Sequence, residues 1–81
     1  MFHVLILHAR PYLKAAPVFE DRCASVILPG TEGEFEILDF HKPILSRLQK
    51  GTLVVDNRKE FKIKGGVIKM DHQSLVAIVD V

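Results

Sequence analysis

The chain has 81 residues, with 11 Lys and Arg against 10 Asp and Glu, and is 48% apolar and 26% charged. That length leads us to expect a single domain, 1–81, whose thin core hides only about 60–65% of the surface of the unfolded chain. The near-balance of charge argues against a non-specific nucleic-acid binder, the apolar fraction argues against disorder, and the lone Cys23 excludes a disulfide framework or a cysteine metal cluster.

In chain order, the first expected strand is Phe2–His8, whose apolar run Val4–Leu7 is too short for a membrane span or a signal-peptide core. A second strand is expected over Cys23–Leu28, and the turn signal "PGTEG" follows it. "GEFEIL" then alternates strictly, with Phe35 and Ile37 on one face and Glu34 and Glu36 on the other. "HKPILSRLQK" comes nearest to a helical stripe, but Pro43 and Gly51 limit it to a turn or so.

Thr52–Asp56 and "EFKIK" read as two strands joined through Asp56-Asn57-Arg58-Lys59, a hairpin candidate. In "EFKIK", Phe61 and Ile63 face inward, opposite Glu60, Lys62 and Lys64. "VIKMD" buries Ile68 and Met70 away from Lys69, and after "DHQS" the last strand is Leu75–Val79. Many short strands at regular spacing indicate an all-β sandwich or small barrel.

Charge is segregated along the chain. Six acids and Arg22 lie between Glu20 and Asp39, whereas eight bases lie between Lys42 and Lys69 against only Asp56 and Glu60. These blocks are either solvated strand faces or a bipolar surface that orients the domain between two partners.

Catalytic chemistry finds little support. No phosphate-binding loop, dinucleotide fingerprint, CxxC or HExxH is present, and His3, His8, His41 and His72 are scattered. Cys23 opens the apolar run "CASVIL", where a buried, inert thiol is expected rather than a nucleophile. The glutamates 32, 34 and 36 read as a solvated face rather than an acid–base pair. The chain is therefore expected not to be an enzyme.

The run "LPGTEGEFEILDFHKPILSRLQKG" (28–51) resembles the signature of the epsilon subunit of F-type ATP synthases, close to LPG-xx-GE-x-GIL-xx-HAPLLS-x-L-xx-G. Leu28, Pro29, Gly30, Gly33, Glu34, Ile37, Leu38, His41, Pro43, Leu45, Ser46, Leu48 and Gly51 stand in register with it. "FHVLIL" and "KGGVIKMDHQSLVAIV" resemble the family's first and closing strands, so the likeness spans essentially the whole chain. Departures are Glu36 in place of glycine, Asp39-Phe40 in place of Pro-Gly, and Lys42 in place of alanine.

The resemblance implies a β-sandwich of two five-stranded sheets on the central rotor, between the gamma subunit and the membrane ring. The role is mechanical: coupling proton- or sodium-driven rotation to ATP synthesis, with no cofactor. By the same resemblance Thr31, Glu32 and Glu34 form a ring-facing loop, and His41 faces gamma. Phe40 beside it is added as an aromatic anchor of that contact. The family's C-terminal helical hairpin has no counterpart before Val81. Inhibition of ATP hydrolysis by that hairpin, and nucleotide binding, are accordingly not expected. The expected location is the cytoplasmic face of a bacterial membrane, peripherally bound, or its organelle-encoded equivalent. Three alternatives stay open: a paralogous β-sandwich interaction module, a small nucleic-acid-binding β-barrel using the Arg58–Lys69 run, and a small enzyme using Cys23 or His41.

Overall fold

The computed structural model describes residues 1–10, 16–39 and 42–81. Nine strands account for most of them: β1 (Phe2–His8), β2 (Phe19–Cys23), β3 (Ser25–Gly30), β4 (Gly33–Leu38), β5 (Ile44–Leu48), β6 (Gly51–Val55), β7 (Lys59–Ile63), β8 (Gly65–Asp71) and β9 (Ser74–Asp80). All neighbours are antiparallel except β1 and β9, whose parallel pairing unites the two ends of the described chain.

One hydrogen-bonded path runs β2-β1-β9-β8-β5-β3-β6-β7, with β4 on the other edge of β3. The path turns over where β5 meets β3 through the single pair Gly30↔Leu48. Two layers result, β2-β1-β9-β8-β5 and β4-β3-β6-β7. The all-β sandwich is thus the observed class, and the described strands divide between the layers as five and four.

Alternation decides which side chains enter the space between the layers. Phe2, Val4 and Ile6 of β1, Leu75, Ala77 and Val79 of β9, and Leu53 and Val55 of β6 are buried in one continuous cluster. Each such large apolar side chain contributes about 1.5–3 kcal/mol on leaving water. The expected faces of "GEFEIL", "EFKIK" and "VIKMD" are all observed: Ile37, Ile63, Ile68 and Met70 are buried, and Phe35 and Phe61 are half-buried beside them.

Two expected elements differ. The single strand Cys23–Leu28 is broken at Ala24, because β2 pairs with β1 in one layer while β3 pairs with β4 and β6 in the other. A chain crossing between layers cannot keep one ladder. The stretch 41–50 holds a strand, β5, rather than a helical turn. Ile44, Ser46 and Leu48 turn toward the core and Leu45 and Arg47 turn out, so a serine inside and a leucine outside mask the period of two.

The crossing is held by Asp56. Its carboxylate Oδ1 accepts the amides of Ala24 at 2.7 Å and Ser25 at 3.1 Å, and its own amide donates to the Ser25 carbonyl at 2.9 Å. Asp56 and Asn57, at φ 52° and 54°, form the tight β6–β7 turn, closed by the Arg58 amide donating to Val55 O at 3.0 Å. Positive φ at both central positions is the mirror-image turn that suits a hairpin's twist, and Asp and Asn tolerate it best after glycine. The hairpin expected at 56–59 is therefore present, and its first residue also anchors a distant corner.

Removing that carboxylate leaves two amides without their acceptor. We expect Asp56→Ala to cost about 1–3 kcal/mol, and Asp56→Asn, which keeps one acceptor oxygen, to cost less. Urea unfolding of the three proteins checks the ranking.

Candidate partner-binding surfaces

The β3–β4 hairpin carries the loop expected to face the ring. Gly30 pairs with Gly33, leaving Thr31 and Glu32 as a two-residue tip. Neither tip residue has positive φ; Gly33 does, at 125°, and takes up the mismatch of twist that an ordinary turn leaves in a hairpin. At Gly30 a Cβ would lie 2.7 Å from Phe35 Cε1 and 2.8 Å from the Gly33 carbonyl, so the loop closes this tightly only without a side chain there. The Thr31 amide donates to Arg47 O at 3.3 Å and the Gln49 amide to Pro29 O at 2.8 Å, which fixes the loop against the end of β5. Thr31, Glu32 and Glu34 are all exposed, and Glu34 and Glu36 share the outer side of β4. The structure therefore brings these three residues together, at the corner where the layers join.

Phe40 and His41, the expected gamma-facing pair, lie outside the described residues. Asp39, just before them, accepts the amino group of Met1 at 2.6 Å. Ile44, the first residue of β5, pairs with Met70 beside the β8–β9 turn. Asp39 and Thr31 thus mark opposite ends of β5, a strand on the order of 15 Å long.

A surface that the sequence did not single out lies between them. Outward residues of the five-stranded layer fall in rows set by register: Arg47, Val67, Ile78 and Leu7 in one, and Leu45, Lys69, Val76 and Leu5 in the next. Leu45 is 78% exposed, Val67 42% and Ile78 40%. The available signal was the apolar residue at the outward position of successive strands, legible only once the strands are in register.

At the opposite seam the two terminal strands of the path meet. The Phe19 ring of β2 tilts against the Phe61 ring of β7 at 5.6 Å between centroids, and Lys59 Nζ sits 5.3 Å from the Phe19 centroid. Asp21 therefore shares this seam with Arg58 and Lys59, whereas Glu34 and Glu36 lie exposed along β4. Phe61 is held between the layers, and no exposed aromatic accompanies Lys59, Lys62 and Lys64 among the described residues. Basic strands without a stacking platform are poorly suited to single-stranded nucleic acid.

Cys23 lines an open cleft of about 380 Å³ at this seam with Asp21, Arg22, Asp56 and Arg58. The residue is only 1% exposed, and burial, then Asp56 and Asp21, push its thiol up to about 11. Such a thiol stays protonated near neutrality and is a poor nucleophile. His3 is engaged with Glu20 at 2.9 Å, and no group of three or more His, Cys, Asp or Glu is placed to hold a metal among the described residues.

The fold and its surfaces define a small all-β sandwich domain with an anchored acidic loop and an apolar outer face. Residues 13–81 match the model of the ATP synthase delta/epsilon chain beta-sandwich domain, and the chain belongs to that family. It is 32% identical over 78 residues to the ATP synthase epsilon chain of Campylobacter curvus, covering 91% of this chain and 60% of the relative. The epsilon chain of Aliarcobacter butzleri is 36% identical over 66 residues, covering 78% and 53%. The chain thus spans about half to three-fifths of the length of these relatives. A chain in the central stalk/c-ring structure of the Tetrahymena thermophila mitochondrial ATP synthase superposes with a TM-score of 0.77 at 13% identity, covering 98% of this chain and 63% of that one. One in the Euglena gracilis mitochondrial enzyme superposes with 0.73 at 18% identity, covering 98% and 51%. At such identities the likeness is one of fold.

The Cys23 environment yields a measurable expectation. A thiol raised from its ordinary 9.0 to about 11 adds stability that is whole below pH 9 and is lost as pH rises toward 11. Native protein at pH 7.5 should resist a thiol reagent that labels it rapidly in urea, and Cys23→Ala should show a shallower alkaline decline in stability.

Proposed function

We propose that this chain is a non-catalytic rotor subunit of a proton- or sodium-translocating F-type ATP synthase, seated between the gamma subunit and the membrane ring. Family membership is the observation that carries this reading. The anchored β3–β4 loop fits it, since a rotor element transmits torque only through contacts that do not yield.

In this reading Thr31, Glu32 and Glu34 meet polar loops of the ring, and Phe40 and His41 meet gamma. An exposed pair formed by Glu34 contributes only about 0–1 kcal/mol and sets orientation more than affinity. The domain binds no nucleotide and no cofactor, and it lies peripherally on the cytoplasmic face of a bacterial membrane or its organellar equivalent. It acts as one unit, 1–81.

Capture of the cognate gamma subunit by this chain is the direct test. Wild-type chain should retain gamma at micromolar concentration, and His41→Ala and Phe40→Ala should each weaken retention about tenfold or more if they are central to the contact. Absence of binding by the wild-type chain would overturn the rotor assignment.

A further inference from the structure

β4 forms one edge of the four-stranded layer, and among the described residues it pairs only with β3. Its partner strand shows which way its backbone groups point. The Pro29 carbonyl accepts the Gln49 amide at 2.8 Å, the Ser25 carbonyl accepts the Asp56 amide at 2.9 Å, and the Ser25 amide donates to Asp56 Oδ1 at 3.1 Å. Ser25 and Pro29 thus turn their polar groups away from β4, although they stand opposite Leu38 and Glu34. Pairs in an antiparallel ladder alternate between those that exchange hydrogen bonds and those that do not. Glu34, Glu36 and Leu38 therefore sit in the non-bonded pairs, and their amides and carbonyls point outward from the edge of the sheet. No hydrogen bond among the described residues takes up these groups.

The edge is open and lightly guarded. Leu38 is 51% exposed, and Glu34 and Glu36 are exposed beside it. Register with β3 is unbroken from Gly33 to Leu38, so no bulge twists the edge away, and neither proline nor lysine interrupts β4. An edge of this kind is a template for a further strand, and only the two carboxylates stand against indiscriminate pairing.

Charge says which strand fits. The outward neighbours on β3 are Ile27 and Pro29, β6 carries no charge, and the bases of this layer stand on β7, beyond both. Glu34 and Glu36 therefore set the sign along the edge, and neither makes an ion pair among the described residues. Two copies joined edge to edge about a two-fold axis would set these acids opposite one another, and like charges directly opposite destabilise a ladder. A strand with a base at every second residue meets both carboxylates on one face.

We propose that the free edge of β4 takes up an extended segment of a protein partner as a further strand, and that Glu34 and Glu36 select a segment with a base at every second residue. Main-chain hydrogen bonds to Glu34, Glu36 and Leu38 supply the affinity, and the alternate side chains supply the selectivity. The inference goes beyond the rotor reading and does not depend on it.

The probe is a synthetic peptide of about nine residues with lysine at every second position and threonine or valine between, added to the full 81-residue chain. Binding should protect the amides of Glu34, Glu36 and Leu38 from hydrogen exchange. The same peptide with its lysine backbone nitrogens methylated keeps its charge and loses its pairing edge, and should bind about tenfold or more weakly. Glu34→Lys/Glu36→Lys, at exposed positions and with its fold verified by a thermal melt, should weaken the parent peptide to a similar degree. Equal binding of the methylated peptide would leave only an electrostatic contact and overturn strand addition. Equal binding of a peptide with glutamate in place of lysine would overturn the selection by charge, and no saturable binding at millimolar peptide would overturn the proposal outright. A dimer in sedimentation, with the same β4 amides protected, would give the edge to a second copy and overturn the partner inference. None of these outcomes bears on the rotor reading, which gamma capture tests.

Discussion

Everything in this sandwich depends on the chain passing from one layer to the other at Ala24 without losing its hydrogen bonds. β2 and β3 are separated by that one residue and yet belong to different layers, so the amides at the corner have no ladder to join. The carboxylate of Asp56, at the end of the neighbouring strand β6, supplies the missing acceptor. The amide of buried Ser25, left without an acceptor, would cost more than an ordinary hydrogen bond contributes, so one side chain ties two distant segments together. The seam beside it, where Phe19 and Phe61 meet, then closes the outer strands by side chains alone.

That closure determines where free surface remains. With β2 and β7 facing each other, their inward residues are committed to the seam, and Cys23 becomes an inert thiol at its floor. Among the described residues, the β3–β4 loop and the outer face of the five-stranded layer stay exposed. Both are organised by β5, which is pinned to β3 at Gly30 and to β8 along its length. A strand shared in this way couples the position of the acidic loop to the apolar face.

The distribution of charge has the same logic. Asp21 and the bases Arg58 and Lys59, far apart in the chain, line one cleft at the seam, where Lys59 lies over Phe19. Along the free edge of β4, Glu34 and Glu36 keep no intramolecular counterpart among the described residues. Charges used for closure and charges left for recognition are thus indistinguishable by composition and separable only by position.

Much of this protein was legible in the order of its residues. Strict alternation in "GEFEIL", "EFKIK" and "VIKMD" determined which side chains enter the core, because a strand's faces repeat every two residues whatever it pairs with. Asp56-Asn57 determined a hairpin, since few residues tolerate left-handed φ, and the spacing from Leu28 to Gly51 carried the family and the acidic loop. Tertiary structure alone decided the break at Ala24, the strand character of Ile44–Leu48, and the outer face. A layer crossing leaves no local signature, and a serine turned inward beside a leucine turned outward reads as no period at all. The face at Leu45, Val67 and Ile78 exists only through register, because residues 45, 67 and 78 become neighbours when β5, β8 and β9 pair and not before.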